Sequence, residues 1–271
     1  MSADVFGLSV HGGPMEHQYR RLRPDVLEVP WDELGEKAAA LDPRVRTLAQ
    51  QGWAEAALQE YASVEAHAQL FRGMVVTQAP LDFSAVASSF PLDELAHAEL
   101  CSRVAQALGA SAPLAYQPAQ LFPAALQGSG RRPELDVASC VITTCCISET
   151  WAQSMLAALW NAEKDDILKP IRGRIARDEA LHGRLGWAYL DWLAPRLSAD
   201  DIRWLARAAA DSVAAIDASI EATDRLGDEY FEPACAFGGL GRDGYTRAAR
   251  QALDERVVRP LTERGFLRVP A

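Results

Sequence analysis

With 271 residues, 49% of them hydrophobic and 24% charged, the chain has the composition of a globular protein able to bury a substantial core. Its 37 acidic against 27 basic residues leave a net charge of −10, which argues against nucleic-acid and anionic-membrane partners, since both need a basic surface. Five cysteines make no disulfide framework, no apolar run reaches transmembrane length, and the polar N-terminus has no signal core, so a cytoplasmic setting is expected.

In chain order, residues 1–30 lack periodicity and carry Gly12, Gly13, Pro14, Pro24 and Pro30, so they read as an irregular arm. A short helix from Trp31 to about Leu41 completes an N-terminal unit, 1–42, ahead of a helical domain over 43–271. Pro43 suits a first turn. From it a long helix runs to about Met74, with Trp53, Ala57, Glu60, Val64, His67 and Phe71 on one stripe. After a turn at 77–81, Ala85 to Leu108 is periodic, but Pro91 either restarts the helix or kinks it. Residues 110–133 form a loop long enough to cross or roof the domain. Helix three spans Glu134 to about Asn161, and Pro170 suits the first turn of helix four, which runs to about Leu193. Ser198 with Asp201 is a capping signature for a fifth helix to about Asp224. Residues 227–242 read as a Gly-rich connector and 243–263 as a final helix. The expected class is all-α, four long helices followed by additional ones.

Two of these helices carry one motif, Asp93-Glu94-Leu95-Ala96-His97 and Asp178-Glu179-Ala180-Leu181-His182. Residues three apart on a helix share a face, with Cβ atoms about 5–6 Å apart, so the Glu and His of each copy can hold the same metal ion. One such pair arises readily by chance. Two copies, at positions 94 and 179 on otherwise apolar faces, do not, because an ionised carboxylate on a core-facing stripe is costly without compensation. Helix three adds Glu149, the single charge between Val137 and Ala162. On helix one, Glu55, Glu60 and Glu65 compete. Periodicity favours Glu60, because Glu65 shares a solvated face with Tyr61 and Gln69.

The expected metal ligands are therefore Glu60, Glu94, His97, Glu149, Glu179 and His182. Two divalent ions would balance the four carboxylates. Oxygen and imidazole ligands suit iron or manganese, and no thiolate-rich cluster points to structural zinc. Metal-bound histidines donate their second N–H to a partner, so Asp93 is expected to serve His182 and Asp178 to serve His97. His67 reads as a pocket acid/base, an extra ligand or a core histidine, the last leading. Cys101, Cys145 and Cys146 either line the cavity or pack as small hydrophobes, packing leading.

A Glu on each of two helices with Glu-x-x-His on two others resembles the ligand set of the ferritin-like diiron and dimanganese carboxylate proteins. More narrowly, the chain is similar to bacterial ferritin-like domain proteins of unassigned function. The resemblance runs over roughly residues 50–265 and is carried by Glu60 to Val64, Asp93 to Cys101, Cys146 to Thr150, and Asp178 to His182 with Gly186-Trp187. His67, where such relatives have an aromatic residue, and Pro91 depart from it. The resemblance implies a ferritin-like four-helix bundle with a long crossover and additional C-terminal helices. It also implies the six residues as ligands of two Fe ions, with Mn as the alternative. The expected function is that of a non-haem diiron oxidase or monooxygenase acting on a small organic substrate, with hydroxylation, N-oxygenation and desaturation all open. Its partners would be O2, that substrate, a reductase or ferredoxin as electron donor, and a second copy in a homodimer. The rivals are a ferroxidase or iron-storage protein and a bundle whose carboxylates are structural.

Overall fold

The computed structural model describes residues 4–109, 114–116, 128–236 and 239–267. It is all-α apart from one antiparallel pairing of two-residue strands, β1 (Asp4–Val5) with β2 (Ala115–Tyr116). The N-terminal helices are α1 (Gly13–Leu22), α2 (Trp31–Ala39), α3 (Pro43–Val76), α4 (Leu81–Ala87) and α5 (Phe90–Ala107). Helix three is α6 (Pro133–Cys140), a π-helical segment (Val141–Glu149) and α7 (Thr150–Ala162) in succession. Then come α8 (Leu168–Leu193), α9 (Ala199–Asp224), α10 (Asp228–Ala236), α11 (Arg242–Gln251), a second π-helical segment (Ala252–Val258) and α12 (Arg259–Glu263). No helix among the described residues is long and apolar enough to cross a membrane.

Local chemistry accounts for the boundaries. The Asp42 side chain accepts from the Arg44 and Val45 amides and caps α3, whose first turn holds Pro43. Pro91 lies in the first turn of α5, so the helix restarts there rather than bending. Ser198 and Asp201 form the capping box of α9.

α3 lies along α5, while α7 and the π segment before it lie along α8. α9, α11 and the second π segment cover that second pair, and α10 lies on α3. Glycines let α8 come close to its neighbours. A Cβ on Gly186 would stand 2.6 Å from Cys145 Cβ, and one on Gly183 would stand 2.9 Å from Thr150 Oγ1. The buried core falls into two apolar clusters. Along α3 one holds Ala57 and the other Leu70; along α8 one holds Ile175 and the other Leu185. Glu60 on α3 and Glu179 and His182 on α8 lie between those positions, so on these two helices the polar residues stand where one cluster gives way to the other.

Three expectations need correction. The arm over 1–30 is not irregular throughout, because Pro14 falls in the first turn of α1, where its missing N–H costs nothing. Arg20 then grips Glu99 of α5 through two 2.7 Å hydrogen bonds, and Arg23 pairs with Asp93. The connector at 227–242 contains α10, with Tyr230 and Phe231 in edge contact and Phe231 buried. Helix three is broken by π geometry that a 3.6-residue period does not register. Most of the expected loop over 110–133 lies outside the described residues.

Candidate metal centre

Four elements converge on one buried polar space. α3 supplies Glu60 and His67, two turns apart; α5 supplies Glu94 and His97; the π segment ends on Glu149; α8 supplies Glu179 and His182. All six expected ligands meet there, joined by His67. Their atoms form two groups, His67/Glu94/Glu149/His182 and Glu60/Glu94/His97/Glu179, and within each the donor atoms lie within 4.8 Å of one another. Atoms sharing one ion at about 2.0–2.3 Å must lie within about 4.6 Å of each other, so each group needs to contract only slightly.

Glu94 belongs to both groups. Its Oε1 is 3.1 Å from His182 Nδ1 and its Oε2 is 3.8 Å from His97 Nδ1. Glu179 spans the same gap, with Oε1 3.1 Å from His97 Nδ1 and Oε2 2.9 Å from His182 Nδ1. Glu60 flanks the first imidazole at 3.5 Å and Glu149 the second at 3.7 Å. All three histidine rings are fully buried. Both oxygens of Glu94, Nδ1 of His97, Nε2 of His67 and Nε2 of His182 have no hydrogen-bond partner. Buried polar atoms left unpaired cost about 1–3 kcal/mol each, more when charged, and four of these, both Glu94 oxygens, His97 Nδ1 and His67 Nε2, face one space, where a cation would satisfy them.

The aspartates divide unevenly. Asp178 accepts from His97 Nε2 at 3.2 Å and from Arg174 at 2.6 Å. Asp93 stands 3.8 Å from His182 Nε2, too far for a hydrogen bond, and its other oxygen is taken by Arg23. The Asp178–His97 hydrogen bond is the one expected from the sequence, whereas Asp93 lies beside His182 without the expected hydrogen bond.

Without metal, protons carry the balance. Burial pushes the Glu60 carboxyl up to about 8, beyond what its contact with His97 offsets. Burial, with Glu179 beside it, raises Glu149 far above the carboxylate range. Burial works against charge on His97 and His182, yet their carboxylate partners, Asp178 and Asp93 first, overcome it and raise both. Glu94 and Glu179 are also opposed by burial but held low, Glu94 chiefly by His182 and His97, Glu179 by Glu149 and the same histidines. Burial lowers His67, which stays neutral.

Cys101, Cys145 and Cys146 join neither group, and burial pushes each thiol up, so they pack as protonated small side chains. Glu65 is turned to Gln69 and Glu55 to a cleft mouth, so neither reaches the cage. Two clefts do reach it. One of about 360 Å³, walled by Trp53, Ala56, Leu156 and Ile175 under Tyr230, ends on Glu60. The other, about 380 Å³ and lined by Ala62, Ser63, Glu65, Ala66, Cys140, Thr143 and Ser148, reaches Glu149 and differs from the first in its row of hydroxyls. Arg172 borders the apolar cleft, held by Glu163 at 3.0 Å and stacked on Trp53 at 4.7 Å. Sequence reasoning gave it no part, although Trp53 marks that face of α3. The chain matches no family model, no curated protein and no solved structure.

Proposed function

We propose that the chain is a ferritin-like carboxylate protein that holds two iron ions, manganese being the alternative, and uses O2 to oxidise a small organic substrate. The observation that carries this is the pair of ligand groups sharing Glu94, with buried donor atoms that no protein group satisfies. Once bound, the ions supply the electron transfer to O2 that no side chain here can perform. The chain does the rest. Glu94 and Glu179 lie between the two positions, Glu60 and Glu149 flank them, Asp178 fixes the His97 ring, and the apolar clusters on either side exclude water. The cleft at Glu60 falls within the usual size of small-molecule pockets and its walls are mostly apolar, so the substrate is a compact, largely apolar molecule. The electrons for O2 come from the substrate or from a reductase or ferredoxin. All five cysteines are free, in keeping with a reducing, cytoplasmic setting.

The test is anaerobic loading of metal-free protein with ferrous iron, desalting, a metal count and an O2 pulse followed in the visible spectrum. About two ions per chain and a transient absorption are expected. Less than about one ion, unchanged by Glu149→Ala, leaves the carboxylates a structural role. A ferroxidase or storage protein is the alternative, favoured by the hydroxyls of Ser63, Ser139, Thr143 and Ser148 in the cleft that leads a cation to Glu149. A shell of many subunits retaining ferric iron would decide for it.

A further inference from the structure

His67 does more than fill the core. Its Nδ1 lies 3.1 Å from the Ser63 carbonyl oxygen one turn back and 3.4 Å from Glu94 Oε1, so Nδ1–H donates to acceptors on that side and the lone pair is left on Nε2. That nitrogen is buried and without a hydrogen-bond partner, 3.6 Å from Glu149 Oε1. A separation of 3.6 Å is too long for a hydrogen bond from a protonated Glu149. It is close to the spacing of two atoms on one ion, about 3–3.5 Å when each bond is about 2.1 Å. The ring is held edge-on to Phe90 at 5.4 Å and lies 4.8 Å from the His182 ring, so Nε2 is aimed before any ion arrives.

We propose that His67 is a seventh metal ligand, through Nε2, and that it makes the two positions of the cage unequal. One position is bounded by His67, His182, Glu94 and Glu149 and has two imidazoles. The other is bounded by His97, Glu60, Glu94 and Glu179 and has one. Imidazole suits zinc, cobalt and iron, whereas carboxylate suits manganese, so the first equivalent of Co2+ enters beside His67. This rests on the two-ion reading above.

The probe is Co2+ titrated into metal-free protein, followed by its visible absorption, with bound cobalt counted after desalting. The variants are His67→Phe, which keeps a ring beside Phe90 without a nitrogen, and His67→Ala, with and without added imidazole. The wild type is expected to take two ions in distinguishable steps. His67→Phe should weaken the first step by about tenfold or more and alter its spectrum, leaving the second close to wild type. Imidazole should restore the first step in His67→Ala. Two ions bound by a folded His67→Phe with wild-type affinities and spectrum would overturn the proposal. If the Phe variant does not fold, the Ala variant decides, since a folded His67→Ala indifferent to imidazole overturns it equally. Fewer than two ions in the wild type sinks the two-ion reading instead.

Discussion

The two halves of the cage grow from the same five-residue motif and end differently. In the Glu60 half, His97 has a hydrogen-bonded aspartate, Asp178, that Arg174 anchors one turn earlier, and the flanking carboxylate meets an apolar cleft. In the Glu149 half, Arg23 draws Asp93 aside, His67 adds an extra ring, and the flanking carboxylate meets a cleft that carries several hydroxyls. The difference teaches that the repeated Asp-Glu-x-x-His sets where donors stand, while the surroundings set what each half does.

The comparison breaks most completely at the residue both halves share. Glu94→Ala removes a donor from each group, so the metal count after desalting is expected to fall from about two ions per chain to nearly none. Glu60→Ala removes a donor from one group and should leave about one. An ion retained by Glu94→Ala would mean that the halves do not share that carboxylate. A second break tests the packing behind Glu149. A Cβ at Gly186 would lie 2.6 Å from Cys145 Cβ and 3.0 Å from the Cys146 amide nitrogen, so α8 and the π segment must part. Gly186→Ala should lower the stability of the metal-free protein by about 1–3 kcal/mol in denaturant unfolding. An unchanged midpoint would show that the π segment yields freely.

Protonation sharpens the contrast between empty and filled cages. Glu60 and Glu149 have folded-state pKa values raised above the unfolded value of about 4.3. Their stabilising contribution is whole below that value and is lost as pH rises through the folded value, about 8 for Glu60. The metal-free protein should therefore lose stability from pH 5 to pH 8, by up to about 1.4 kcal/mol per pH unit for each group. His97 and His182, also raised, act in the same direction above about 6.5. Glu94 and Glu179 act oppositely, below about 4.3, outside this window. With ions in place of those protons the slope should flatten. Thermal melts at several pH values, with and without metal, check this; parallel curves would count against a buried carboxylate cage.

The sequence carried the site further than it carried the fold. Glu149 was legible because it is the one charge on a long apolar stretch, and the motif pairs because helical spacing puts donors on one face. α9 was legible from its capping box, which is local chemistry. α1 was not, because Pro14 looks like a breaker and the helix is held by Arg20 and Arg23 reaching residues of α5 far along the chain. The π segment was hidden for another reason: its hydrophobic content stays that of a buried α-helix while its hydrogen bonds change register. His67 shared the stripe of Glu60 and so looked like core. What distinguishes it is an unpartnered nitrogen, and that depends on where three other elements place their side chains.

The smallest expected effect lies outside the ligands. Asp178→Asn keeps an oxygen for His97 Nε2–H but removes the charge that makes the imidazole a stronger donor to metal, and such changes cost about 10–100-fold in affinity. Asp93→Asn should cost less than about tenfold, because Asp93 stands 3.8 Å from His182 Nε2 and already shares its charge with Arg23. Chelator competition on the two variants gives the ratio directly. Should Asp93→Asn prove the more damaging, then Asp93 must leave Arg23 and close on His182 when the ions bind. The N-terminal helix would then be coupled to the filling of the cage, and the contrast between the two aspartates would vanish once the ions bind, leaving His67 and the clefts to distinguish the halves.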